Sequence, residues 1–175
     1  MLAGALLVGL AAPGVAADFS AGWTAYERGD YQNAIETWQL LAERGNADAA
    51  FNLGQMYEGG RGVERDFEAA AGWYAIAADK GDVDAQFSLG VMYQTGLGVE
   101  QDYAKAVGLF ELAAAQGDID AQFNLGFLFD KGIGVAQNIE AAARWYRLAA
   151  AQGDEDAQIN LDTLKAEGLI GIEEK

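Results

Sequence analysis

A glycine recurs at Gly45, Gly81, Gly117 and Gly153, each 36 residues after the last, and a nearly constant phrase follows every one. The four phrases open GNADAAFNLGQMYEGG, GDVDAQFSLGVMYQTG, GDIDAQFNLGFLFDKG and GDEDAQINLDTLKAEG, and the last stops short. A fixed period of this length specifies stacked supersecondary units, each burying its apolar face on the next, rather than one globular core. Such an array offers a long ridged surface. A pocket for chemistry has to be built from residues that break the repetition, and this chain breaks it very little.

Within one unit, Asn46, Asp82, Asp118 and Asp154 stand where a side chain caps a first helix by accepting its orphan amide hydrogens. Asp48, Asp84, Asp120 and Asp156 fall in the first turn, where the helix dipole favours negative charge. Ala49, Leu53, Met56 and Tyr57 share one face at helical spacing. Gly54, Gly90 and Gly126 sit mid-helix at a cost of about 1 kcal/mol against alanine, which predicts close approach of a neighbouring helix backbone. Asp162 takes that place in the short fourth unit, so no second helix is expected there.

A loop follows with paired glycines (Gly60 and Gly62, Gly96 and Gly98, Gly132 and Gly134) that suit positive φ, and Val63, Val99 and Val135 plug the space beneath. No strand precedes this G-x-G spacing and no Gly-Lys-Ser/Thr follows it, so it is not a phosphate loop. Asp66, Asp102 and Asn138 then cap a second helix. That helix turns Ala70, Trp73, Tyr74 and Ala77 inward, matched by Ala106, Leu109, Phe110, Ala113 and by Ala142, Trp145, Tyr146, Ala149. Large aromatics against small alanines let adjacent layers interdigitate. Gly81, Gly117 and Gly153 end the second helix in a left-handed cap.

The A-Q-F-N-L-G run, the aromatic three residues later, the G-x-G-V loop, the capping Asp and the W-Y-x-x-A-A stretch resemble Sel-like repeats (SLR), relatives of tetratricopeptide repeats. Three full units at 45–80, 81–116 and 117–152 fit, with a partial capping unit at 153–168 and a tail at 169–175. Upstream, residues 18–44 are similar to a tetratricopeptide-type helix pair with a shorter loop, aligning Asp30, Tyr31 and Ala34 with Asp66, Phe67 and Ala70. The resemblance implies an all-α fold, an α-solenoid of antiparallel helix pairs. It also implies roles known among exported SLR proteins of Gram-negative bacteria, such as a periplasmic inhibitor of a sensor kinase and scaffolds for polysaccharide secretion.

Composition narrows the chemistry. Eleven basic and 27 acidic side chains leave a formal charge of −16, with no cysteine and no histidine. That balance disfavours nucleic acid and anionic lipid, which select for clustered Lys and Arg. Absent cysteine removes disulfides, thiolate catalysis and Cys-ligated zinc. Absent histidine removes the commonest general base near neutral pH. The weak β-lactamases described among SLR proteins belong to a cysteine-rich branch that this chain does not resemble. Acids that recur at cap positions mark helix ends rather than the unique pocket a two-carboxylate glycosidase needs. No EF-hand loop is present. No catalytic residue, metal or cofactor is expected.

The first 17 residues, MLAGALLVGLAAPGVAA, are apolar and end in Val15-Ala16-Ala17, like a secretory signal cleaved near Ala17. No Lys or Arg follows Met1. The run from Leu2 to Ala17 contains Pro13 and is short for a membrane span, so no stable membrane insertion is expected after cleavage. The expected location is periplasmic or secreted.

By similarity to tetratricopeptide arrays, a stripe on each first helix lines the concave groove: Asp48, Phe51, Gln55 and Glu58, then Asp84, Phe87, Val91 and Gln94, then Asp120, Phe123, Phe127 and Asp130. Such a groove suits a protein or peptide that carries Lys or Arg beside apolar anchors. Phe51, Phe87 and Phe123 either line it or pack between units, and Phe127 is the best candidate anchor. Asn52, Asn124, Asn160 and Ser88 either bond a peptide backbone or tie neighbouring helices together. Arg61, Leu97 and Ile133 vary at the loop tips. The tail, with Leu169, Ile170 and Ile172, either folds back as a lid or contacts a second copy in a homo-oligomer. The expected function is an exported adaptor, scaffold or regulator. Its rivals are an envelope hydrolase acting on cell-wall or β-lactam-type substrates and a structural spacer in an envelope or polysaccharide-secretion complex.

Overall fold

The computed structural model describes residues 18–171, so the expected signal at 1–17 and Ile172 of the tail lie outside the described residues. Nine helices and no strand make up the described residues: α1 (Phe19–Glu27), α2 (Tyr31–Glu43), α3 (Ala47–Gly59), α4 (Phe67–Ala78), α5 (Val83–Thr95), α6 (Tyr103–Ala115), α7 (Ile119–Lys131), α8 (Ile139–Ala151) and α9 (Glu155–Ala166). Each helix packs chiefly on its neighbours in sequence, giving four hairpins in a row with α9 closing the end. The expected all-α solenoid is the fold.

Every helix begins with a side-chain cap. Asp18, Asp30, Asp66, Asp82, Asp102, Asp118 and Asp154 do this for seven helices, and Asn46 and Asn138 for α3 and α8. In α3, for example, Asn46 Oδ1 accepts from the Ala49 amide at 2.7 Å. A cap of this kind contributes about 1 kcal/mol, so much of the net acidity serves local structure.

The core is a row of aromatics set against small residues. Trp38, Tyr74, Phe110 and Tyr146, one from each hairpin, are fully buried. The mid-helix glycines correct one expectation. A Cβ on Gly54, Gly90 or Gly126 would come within 2.5–2.7 Å of the rings of Tyr74, Phe110 and Tyr146, so the close neighbour is an aromatic face rather than a helix backbone. Gly22 does the same for Trp38 in the first hairpin. In the fourth unit Asp162 is exposed, and no second helix follows among the described residues.

Two further devices join hairpin to hairpin. The second loop glycines, Gly62, Gly98 and Gly134, lie against Tyr31, Phe67 and Tyr103, the first residues of the preceding hairpin's second helix. A glutamine network does the rest, and it was not foreseen. Gln116 Nε2 donates to the Gly81 carbonyl at 3.2 Å and to Gln86 Oε1 at 2.9 Å, while the buried Gln86 donates to the Ala78 carbonyl at 3.3 Å. Gln152, Gly117, Gln122 and Ala114 repeat the pattern one unit on. Buried amides are tolerated because each finds a partner. Asn52 and Asn124 behave differently from both readings above: each bonds the carbonyl four residues back in its own helix, Asp48 or Asp120, at 2.7 Å.

At the far end Ile170 folds back onto the last core cluster, whereas Leu169 is exposed. A cleft of about 360 Å³ opens there between α8 and the tail.

Candidate protein-binding face

The helical repeat places Asp48, Phe51, Gln55 and Glu58 on one side of α3, and their counterparts on α5 and α7 continue the row. Asp48, Gln55, Glu58, Asp84, Asp120 and Phe127 are exposed, while Phe51, Phe87, Val91, Gln94, Phe123 and Asp130 are half-buried. The three phenylalanines lean on the second helix of their own hairpin. Ring centroids lie 5.6 Å apart for Phe51 and Tyr74, 5.7 Å for Phe87 and Phe110, and 5.9 Å for Phe123 and Tyr146. They pack within units and still show an edge to solvent. Phe127 reaches furthest out, at 37% exposure.

Two acids of the row are engaged by their own chain. Glu58 accepts a 2.5 Å hydrogen bond from the Tyr74 hydroxyl, and burial with this carboxylate pushes that phenol well above its ordinary range. Asp130 pairs with Lys131 at 2.7 Å. Its charge and, more strongly, burial raise the Tyr146 hydroxyl, with Asn160 opposing. Neither acid matches the freedom of Asp48, Asp84 and Asp120.

The row is longer at both ends than sequence reasoning placed it. Gly22 stands to Trp38 as Gly54 stands to Tyr74, which sets Phe19 in register with Phe51 and Trp23 with Gln55. Trp23 is 43% exposed and stacks on Tyr26 at 5.4 Å. At the other end Ile159, in the Phe51 position of α9, is 61% exposed, and no second helix lies over it among the described residues. The signal for Ile159 is the 36-residue period itself. For Trp23 it is the glycine-to-aromatic offset, hidden by a connection between α1 and α2 four residues shorter than the later loops. At the loop tips Arg61 sits over the Tyr26 ring at 5.8 Å and bonds its hydroxyl, Leu97 is exposed and Ile133 is half-buried.

Beside the aromatics runs a line of negative charge whose members feel one another. Asp82 and Asp118 are both raised from the usual carboxylate range, first by burial. Asp84 and Asp48 add to the shift of Asp82, and Asp120 and Asp84 to that of Asp118, against the opposing cap hydrogen bonds. Asp84 is common to both. Asp84→Asn therefore lowers the titration midpoints of Asp82 and Asp118 together, read by carbon-detected NMR of the carboxyl groups. Unmoved midpoints would show that the charges of successive units do not communicate.

Among the described residues no group of three or more His, Cys, Asp or Glu side chains is placed to hold a metal ion. No helix of the described residues is long and apolar enough to cross a membrane.

The Sel1 repeat family model matches residues 47–82, 83–118 and 119–154. The chain belongs to the Sel1 repeat family. Sel1 repeats are in general protein–protein interaction modules, and the family is typically a non-enzymatic scaffold. Among solved structures, this Sel1-repeat chain is similar to a protective antigen present in uropathogenic Escherichia coli strains that displays an SLR fold. Identity is 41% over 83% of this chain and 32% of that one, with a TM-score of 0.79. A Sel1 repeat protein from Oxalobacter formigenes is 32% identical over 86% of this chain and 62% of that one, also with a TM-score of 0.79. This chain thus spans less than two thirds of either relative's length. Cysteine rich protein B of Helicobacter pylori shares the fold at 23% identity and a TM-score of 0.57, over 73% of this chain and 92% of that one. No curated protein matches the chain.

Proposed function

We propose that this Sel1-repeat protein is an exported adaptor, scaffold or regulator that holds a partner polypeptide along the stripe of its odd-numbered helices. The observation that carries this reading is the register of outward apolar side chains, Trp23, Phe127 and Ile159, with the free acids Asp48, Asp84 and Asp120. Aromatic anchors flanked by one sign of charge select a segment with apolar residues beside Lys or Arg. Export is supported by the apolar run from Met1 to Ala17.

The test is a displayed library of random peptides selected against the purified protein. Selected peptides are expected to alternate basic and apolar residues, to shift Trp23 emission to the blue on binding, and to bind more weakly as salt rises. Phe127→Ala and Asp120→Lys each weaken them about tenfold or more. Glu111→Lys, the same charge reversal on the even-numbered α6, leaves them unchanged. Equal binding by all variants would remove the stripe from consideration.

A further inference from the structure

The even-numbered helices carry a second surface that neither the core nor the odd-helix stripe explains. Leu40 on α2, Ile76 on α4, Leu112 on α6 and Leu148 on α8 occupy one position of the repeat, and all four are 40–54% exposed. One helical turn earlier the same four helices present Glu36, Gly72, Gly108 and Arg144, all exposed. Gly72 and Gly108 are helix-interior glycines, and a Cβ on either would meet nothing within 4 Å. Unlike Gly54 or Gly90, they answer no need inside the chain, although glycine is a poor helix former. A bare backbone beside an exposed Ile or Leu fits close approach from outside.

We infer that this face is the self-association surface of the protein, joining two copies with their solenoids running in opposite order about a two-fold axis parallel to the helices. The argument is self-complementarity. A two-fold contact sets each position against its partner in reversed order. Read along the turn before the aliphatic row, Glu36-Gly72-Gly108-Arg144 reversed places Glu36 on Arg144 twice and Gly72 on Gly108 twice. The aliphatic row places Leu40 on Leu148 and Ile76 on Leu112. One turn further on, the acids Glu43 and Asp79 meet Ala151 and Ala115, and the bases Arg44 and Lys80 meet Gln152 and Gln116. No like charges oppose one another. The apolar stripe is thereby covered and the backbones close at the dyad, while the odd-helix stripe stays open on both copies. At its α8 end this surface borders the tail, since Arg144 also lines the cleft with Leu169, Ile170 and Gly171; the aliphatic row and the two glycines are not among the residues of that cleft.

Sedimentation velocity over a concentration series tests it. The unmodified protein is expected to pass from monomer to dimer. Gly72→Gln and Gly108→Gln each keep the fold, raise the melting temperature of dilute protein because glutamine is the better helix former, and weaken the dimer about tenfold or more. Glu36→Arg and Arg144→Glu each weaken it, and the two together restore it. A protein that stays monomeric throughout overturns the inference, and so does a dimer indifferent to the glycine variants. Loss with Glu36→Arg but not with Arg144→Glu overturns the reversed order, because that order sets these two residues against each other.

Discussion

Replacing Gly98 with alanine lowers the stability of the array by roughly 2–5 kcal/mol, the sum of a left-handed conformation and an overpacked contact. Gly98 has φ of +74°, and an added Cβ lands on the carbonyl of Phe67 at the start of α4. A ring can tilt away from an intruding methyl; the first peptide of a capped helix cannot. Gly81 supplies the control. Its φ is +90° but nothing lies within 4 Å of the added carbon, so Gly81→Ala costs only about 1–2 kcal/mol for the backbone conformation. Urea melts of the two variants isolate the clash. Because Gly98 joins the first Sel1 unit to the second, its variant is also expected to melt less cooperatively, as a broken interface uncouples a linear array. Equal midpoints and slopes for the two variants would remove the joint from that loop.

Trp38→Ala costs about 3–5 kcal/mol, the usual range for deleting a large buried aromatic. Trp38 is wholly buried, with ring centroids 6.0 Å from Phe19, 6.3 Å from Trp23 and 5.8 Å from Tyr26. Its hairpin joins the rest of the described array mainly through α2 and α3, so the loss is expected to stay local. Amide hydrogen exchange should accelerate across α1 and α2 while α5 to α8 keep their protection. Uniform acceleration along the chain would contradict that picture. Trp38→Phe is far milder, because the indole nitrogen is buried without an acceptor and its removal leaves no partner unsatisfied.

What was legible in the sequence was whatever depends on a few consecutive residues or on the period. Caps such as Asp66 and Asp102 and the left-handed glycines Gly60 and Gly96 are local requirements, and they stand where the spacing puts them. The partner of Gly54 was misread because its contact is with Tyr74, twenty residues on, and depends on how the hairpin closes. Asn52 and Asn124 were misread because a polar side chain on a half-buried face has its own backbone within reach as well as its neighbours. Of the candidate stripe, Phe127 and the first-turn acids could be placed by helical phase alone. The engagement of Glu58 with Tyr74 and of Asp130 with Lys131 could not, since each depends on side-chain geometry.

The glutamine bridges at Gln116 and Gln152 have no counterpart one unit earlier, where Lys80 and Ala50 take the corresponding places. Mechanically, that makes the rod uneven: stiff where amides stitch one layer to the next, compliant near Gly45. Bending strain from a cargo gripping both ends would gather at this softer seam, letting the leading hairpin swing while the trailing layers move as one piece.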